Sequence, residues 1–243
     1  MGYKQQMTIS QKQFMALLRA GLWGKEADAE LFRDGVDWKT VFSLAKQQSV
    51  LALVANVVLN DSELVETLPA GMKEKLKAFV LVNLSTHSML NNTLVQVVAT
   101  LNGAGIDSVL LKGQGIARNY PVPELRACGD IDIYLNGDYH RGNRALESLG
   151  LEIDYDYFVH SCTTFKGIEI ENHQYFVNPD INATSSYIES QLEQLANSAT
   201  THPIVSNALM PSADFALLFT LRHLSWHYAR ESIKIRDLCD WAL

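Results

Sequence analysis

Two aspartates stand one residue apart in the run Asp130-Ile131-Asp132-Ile133-Tyr134-Leu135. The strict alternation from Ile131 to Leu135 predicts a strand. On a strand, residues i and i+2 share a face, roughly 6.6 Å apart along the chain, and Ile131 then turns the other way, into the core. Two carboxylates held on one face repel each other and lose hydration. Magnesium relieves both, because it takes carboxylate oxygens and keeps positions open for phosphate. Two such ions about 3.5–4 Å apart activate an attacking hydroxyl and stabilise a leaving pyrophosphate. A bare Asp-x-Asp is more often a turn or a solvated strand start, since aspartate favours turns, so the surroundings have to decide.

Upstream, Leu111-Lys112-Gly113-Gln114-Gly115 falls where a buried strand over Ile106 to Leu111 is expected to turn into a short helix reaching about Tyr120. Glycines at such a junction permit close approach of a phosphate, free N–H groups at a helix start point at anions, and Lys112 adds positive charge. The same glycines fit a tight turn that needs them only for its backbone. Downstream, Glu169 and Glu171 alternate with Ile168 and Ile170 and share a strand face, so one of them could complete a carboxylate triad. The other possibility is the exposed polar face of an antiparallel strand. His173 follows two residues on, placed to contact substrate or metal or simply to hydrogen-bond within the sheet. His223 and His227 have the i, i+4 spacing of a helical zinc pair, but no glutamate follows His223 and no third ligand stands out, which favours a partly buried helix face. No nucleophile-elbow or Cys–His signature is present.

The string LLKGQGIARNYPVPELRACGDIDIYL resembles the uncharacterised bacterial nucleotidyltransferase family of the DNA polymerase beta-like superfamily. The resemblance rests on Lys112-Gly113, Tyr120-Pro121, Arg126, Gly129-Asp130-Ile131-Asp132 and, on a later strand, Glu171-Asn172-His173. It covers roughly residues 75 to 240 and is most specific over 106 to 135. It implies a mixed-sheet core holding a nucleoside triphosphate with Mg²⁺ (or Mn²⁺). Asp130 and Asp132 would bind metal, and Glu171 would be the third carboxylate that helps deprotonate the acceptor hydroxyl. Lys112, Gly113, Gln114 and Gly129 would surround the triphosphate, and Arg126 would meet phosphate bidentately, a role lysine fills less well. Two departures matter. Lys112-Gly113-Gln114 stands where the wider superfamily has glycine-serine, and the third acid is a glutamate for which Glu169 competes.

The elements around this segment read as helical. Phe14, Leu17, Leu18 and Leu22 predict a first helix capped by Thr8 or Ser10; Asp37 caps a second running through Val41 to about Leu59; Pro69 opens a long third helix that Gly103 and Gly105 close. A helix over Tyr139 to Leu149 follows the Asp130 strand. Strands at Thr163–Phe165 and Ile168–Glu171 flank a Lys166-Gly167 turn, and Gln174–Val177 is expected to prolong the second. Helices return at Thr184–Ala196 and from about Ser212. Their apolar pattern runs to the last residue, so the C-terminal region is expected to stop abruptly or to continue beyond Leu243. The fold class expected is α+β: an N-terminal helical region (1–104), a catalytic core (105–180) and a C-terminal helical region (181–243).

The bulk numbers fit a chain with a real core: 243 residues, 47% hydrophobic and 19% charged. A net charge of −7 argues against a long nucleic acid as partner without excluding a local pocket for a nucleotide. Three scattered cysteines (Cys128, Cys162, Cys239) show neither zinc spacing nor a disulfide framework, and with no signal-like or membrane-length apolar run the expected location is the cytoplasm. The expected reaction moves a nucleoside monophosphate from a nucleoside triphosphate to an unidentified acceptor hydroxyl, with release of pyrophosphate. Two alternatives stay open: a catalytically weak nucleotide-binding or regulatory module on the same fold, and a two-metal phosphohydrolase.

Overall fold

A computed structural model describes residues 6–202, 207–230 and 232–243. In chain order its helices are α1 (Ile9–Trp23), α2 (Trp38–Gln47), α3 (Leu51–Asn60), α4 (Met72–Gly103), α5 (Gln114–Ala117), α6 (Tyr139–Glu147), α7 (Ala183–Ala196), α8 (Ala213–Arg230) and α9 (Ile235–Ala242). Its strands are β1 (Ser108–Leu110), β2 (Asp130–Tyr134), β3 (His160–Phe165), β4 (Ile168–His173), β5 (Thr200–Thr201) and β6 (Ala208–Met210). The α+β class expected from sequence is observed. Contacts divide the chain into two compact units that do not follow chain order: residues 1–85, 117–127 and 232–243 form one, and 86–116 with 128–231 the other.

The first unit is helical. Thr8 starts α1 with a capping box shared with Gln11. The apolar stripe of α1 (Phe14, Leu17, Leu18) packs on α2 and α3. The single helix expected from Asp37 to Leu59 is two. Asp37 caps α2 as expected, but Ser49 adopts a left-handed φ of 57° and Val50 donates to the Ala45 carbonyl, closing α2 before α3 begins. The polar run Gln47-Gln48-Ser49 marks this break in hindsight. Near the end of the chain Asp237 accepts from the Lys234 backbone N–H and starts α9, so the helical region expected from Ser212 is also divided. No helix among the described residues is long and apolar enough to cross a membrane.

The second unit carries one mixed sheet of order β3-β4-β2-β1-β6-β5. β2 runs parallel to β4 and antiparallel to β1, while β1 runs parallel to β6. The β3–β4 hairpin turns at Lys166-Gly167, both with positive φ (54° and 78°), the type I′ geometry that matches strand twist. The two faces of the sheet are buried differently. Ile131, Ile133, Ile168 and Ile170 pack under Leu90, Leu94, Val97 and Leu101 of α4 and Leu146 of α6. On the other face, Val109, Leu111 and Tyr134 join Phe176, Leu192 of α7, and Phe215 and Phe219 of α8.

Three details depart from the sequence reading. β1 is shorter than the expected 106–111, because Ile106 still belongs to the close of α4, where its N–H donates to the Leu101 carbonyl. Gln174–Val177 does not prolong β4: Gln174 and Tyr175 both donate to the Val159 carbonyl, and the Glu189 carboxylate captures the Phe176 and Val177 N–H groups. β5 and β6 carry no periodic signal, being two and three residues long.

Candidate active site

The parallel β2–β4 pairing builds the site. Its register sets Asp130 opposite Glu169 and Asp132 opposite Glu171. Since alternate residues share a face, all four carboxylates fall on one side of the sheet, while Ile131, Ile133 and Ile170 anchor the other side. The back of β4 is locked by polar contacts as well. Asn172 Nδ2 donates to Asn143 Oδ1 (2.7 Å) and to the Tyr139 carbonyl (3.2 Å) on α6, and Ser161 Oγ donates to the same Asn143 oxygen. Asn172 lies between Glu171 and His173, so this anchor fixes the orientation of both neighbours.

Asp132 is fully buried and sits at the centre. Lys112 Nζ lies 2.8 Å from its Oδ1 and 3.9 Å from Glu171 Oε2. His173 Nε2 lies 3.3 Å from Asp132 Oδ1 and 3.4 Å from Glu171 Oε2. Burial alone would push the Asp132 carboxyl up, but the Lys112 ammonium and the His173 hydrogen bond overrule it and hold the group well below the usual carboxylate range. Burial would likewise deprotonate Lys112, and the negative charges of Asp132, Glu171 and Asp130 outweigh it, so the amine is held firmly protonated. Asp130 goes the other way: burial and the neighbouring Asp132 charge push its carboxyl up despite Lys112.

Gly113 shapes the entrance to this cluster. It takes a left-handed φ of 61°, and a Cβ there would stand 3.5 Å from the Asp130 carbonyl oxygen. The neighbouring Gln114 is buried, and neither atom of its amide has a hydrogen-bond partner. Asp132 Oδ2 is buried and unpartnered too. Buried polar atoms without partners are costly, and a polar or charged group bound here would satisfy them. One donor atom from each of Asp132, Glu171 and His173 lies within 4.8 Å of the others, the compass of a single cation. An oxygen-rich donor set with one imidazole suits a divalent ion, so the residues fit the metal that this chemistry calls for.

A family model describing an uncharacterised nucleotidyltransferase matches residues 34–243. The chain belongs to this nucleotidyltransferase family. The match begins well before the stretch from about residue 75 in which the resemblance was legible, and so takes in α2 and α3. Neither a curated protein nor a solved structure matches the chain significantly.

Within this nucleotidyltransferase, Lys112, Asp132, Glu171 and His173 come into direct contact, with Asp130 two residues along the same face. Gly129 precedes the pair, and a Cβ there would meet nothing within 4 Å. Glu169 shares the face opposite Asp130 but is exposed. Arg126 belongs to the first unit, where its guanidinium forks onto Asp240 (2.7 and 2.6 Å) beside the Tyr120 hydroxyl, which donates to the same carboxylate. Two residues of the family-like string thus converge on Asp240, which nothing near it in sequence singled out. His223 and His227 lie with their Nε2 atoms 3.1 Å apart, and among the described residues no third metal-ligand side chain joins them. His160 and Cys162, missed in the sequence reading, share the site face through the β3–β4 register, His160 opposite His173 and Cys162 opposite Glu171. Their alternation on β3 was the available signal.

The site has a pH signature. Burial lowers the proton affinity of His173, but its hydrogen bonds to Asp132 and Glu171 prevail and raise its pKa from 6.5 to about 9. The folded chain therefore binds this proton more tightly than the unfolded chain does. The resulting stabilisation is complete below pH 6.5 and is lost as the pH rises through about 9. The metal-free protein is expected to lose about 1–3 kcal/mol across that window. Thermal melts of the wild type and His173→Gln from pH 6 to 9.5 check this: the variant's curve is expected to be flatter. A wild-type curve with the same slope as the variant's contradicts the assignment.

Proposed function

We propose that this chain transfers a nucleoside monophosphate from a nucleoside triphosphate to an acceptor hydroxyl, on the face formed by Asp130, Asp132 and Glu171. The observation that carries this reading is the register of β2 against β4. It sets a buried aspartate beside a glutamate, with one aspartate oxygen unpartnered and a lysine ammonium bridging the two acids. Divalent cations, Mg²⁺ or Mn²⁺, would be held by Asp130, Asp132 and Glu171, with His173 within reach. Bound there, they would supply charge stabilisation for the phosphoryl oxygens and the leaving pyrophosphate.

The chain's own groups do the rest. Lys112 supplies a fixed positive charge next to the acids and is the candidate partner of the triphosphate. Gly113 lets phosphate approach the backbone, and the unpartnered Gln114 amide offers a donor where the wider superfamily uses serine. Glu171, less buried than Asp132, is the carboxylate placed to accept the proton of the acceptor hydroxyl. His173 orients Asp132 and Glu171 by touching both. We assign Arg126 no step in this scheme, because its guanidinium forks onto Asp240.

The test is pyrophosphate release from each of the four ribonucleoside triphosphates with Mg²⁺ or Mn²⁺, over a mixed panel of hydroxyl acceptors. Transfer requires pyrophosphate together with a nucleotidylated product. Nucleotide or phosphate release without such a product would instead identify a phosphohydrolase.

A further inference from the structure

β3 brings a second set of ligands to the edge of the carboxylate cluster. His160 and Cys162 are two residues apart on one face, and Cys162 faces Glu171 across the hairpin. A donor atom from each of His160, Cys162 and Glu171 lies within 4.8 Å of the other two. Glu171 turns its two oxygens in different directions. Oε2 faces His173 (3.4 Å) and Lys112 (3.9 Å), while Oε1 faces His160 Nε2 (3.9 Å). The His160 ring is held in place by stacking on Tyr157, with centroids 4.8 Å apart and planes 23° from parallel, and its Nδ1 is buried without a hydrogen-bond partner. Cys162 is a buried free thiol.

We propose that His160, Cys162 and Glu171 bind one transition-metal ion of the zinc class, in a site next to the carboxylate cluster and linked to it through Glu171. The donor types decide the class. A thiolate and an imidazole favour zinc-like ions, whereas magnesium takes hard oxygens and makes no use of sulfur. Three protein ligands leave a fourth tetrahedral position open, the pattern of a site that exchanges water or substrate and not of a closed structural one. The two neighbouring clusters thus differ in softness: oxygen donors with His173 on one side of Glu171, sulfur and nitrogen on the other. Among the described residues neither Cys128 nor Cys239 falls in such a donor group.

Cobalt(II) is the probe. It takes zinc sites and reports thiolate ligation by sulfur-to-metal charge-transfer absorption in the near ultraviolet. The full chain, stripped of metal and titrated with Co²⁺, is expected to develop this band to saturation at one equivalent, to lose it on adding Zn²⁺ and to keep it in excess Mg²⁺. Cys162→Ser is expected to abolish the band and Cys128→Ser to leave it. His160→Gln is expected to weaken Co²⁺ binding by at least about 10- to 100-fold, the loss that follows removal even of a group that only orients a ligand. A second measurement needs no variant: Zn²⁺ is expected to slow iodoacetamide labelling of Cys162 but not of Cys128, read by peptide mass. A band that survives Cys162→Ser, Co²⁺ binding without a thiolate band, or labelling of Cys162 indifferent to Zn²⁺ overturns the site. These readouts are independent of turnover, so a chain inactive on every triphosphate leaves this inference standing, and a missing thiolate band leaves nucleotidyl transfer standing.

Discussion

Asp130→Ala/Asp132→Ala is expected to lower nucleotidyl transfer by roughly 1,000-fold or more, the scale set by removing preorganised charge stabilisation from a transition state. The double variant is also expected to lose Mg²⁺-dependent nucleotide binding. The two aspartates contribute differently. Asp132 is fully buried, held ionised by Lys112 and His173, and has one oxygen free of partners, so it is poised as a permanent ligand. Asp130 is more exposed, and burial together with the Asp132 charge pushes its carboxyl up. A divalent cation between them would offset that repulsion and favour the ionised form of Asp130. Metal affinity should therefore fall as the pH drops into the carboxylate range, and Asp130→Asn should flatten that dependence while Asp132→Asn should cost more affinity outright. Calorimetric titration of Mn²⁺ and of a non-hydrolysable triphosphate into each variant separates these outcomes. Nucleotide and metal binding unchanged in the double variant would refute the site.

The site's backbone logic was legible in the sequence because it is local. Alternation around Asp130-Ile131-Asp132 and Ile168–Glu171 assigns both strands, and the period of two fixes which acids share a face. What the chain does not write locally is which strand lies beside which. The parallel register distinguishes Glu169 from Glu171 in placement: Glu171, not Glu169, stands opposite the buried Asp132 and touches Lys112 and His173, which is why the proposed mechanism uses Glu171. His160 and Cys162 enter the site only through the hairpin register, and β6 reaches β1 across about 100 residues of chain with three residues of strand. Arg126 shows another pairing that the chain does not write locally. An arginine beside a phosphate-like motif reads as a phosphate ligand, yet its fork meets Asp240, 114 positions away. Long-range pairing of charges leaves no periodic trace, so composition and spacing could not find it.

Lys112→Met is expected to separate the lysine's two roles, as counter-ion of the empty site and as partner of the triphosphate. Without metal, the variant leaves the fully buried Asp132 carboxylate with His173 at 3.3 Å in place of a 2.8 Å ammonium contact. Removing one partner of a buried ion pair costs about 3 kcal/mol or somewhat more, because the remaining charge stays desolvated. His173 shares the load, so about 3 kcal/mol is the expected loss in denaturant unfolding of the metal-free chain. Divalent cations should stabilise the two proteins unequally. Deleting a positive charge next to the acids strengthens cation binding, and a cation at about 100 times its Kd adds about 2.7 kcal/mol of stability. Mn²⁺ should therefore stabilise Lys112→Met more than the wild type and bring the two melting curves together. Catalysis should not recover with stability: a charged hydrogen bond to the triphosphate is worth about 1.5–3 kcal/mol, so KM for the nucleotide should remain raised by roughly 10- to 100-fold at saturating metal. If saturating metal restores both stability and KM, Lys112 is a counter-ion alone and the triphosphate is held by other groups. If KM rises while stability without metal is untouched, the 2.8 Å contact with Asp132 does not carry the energy assigned to it.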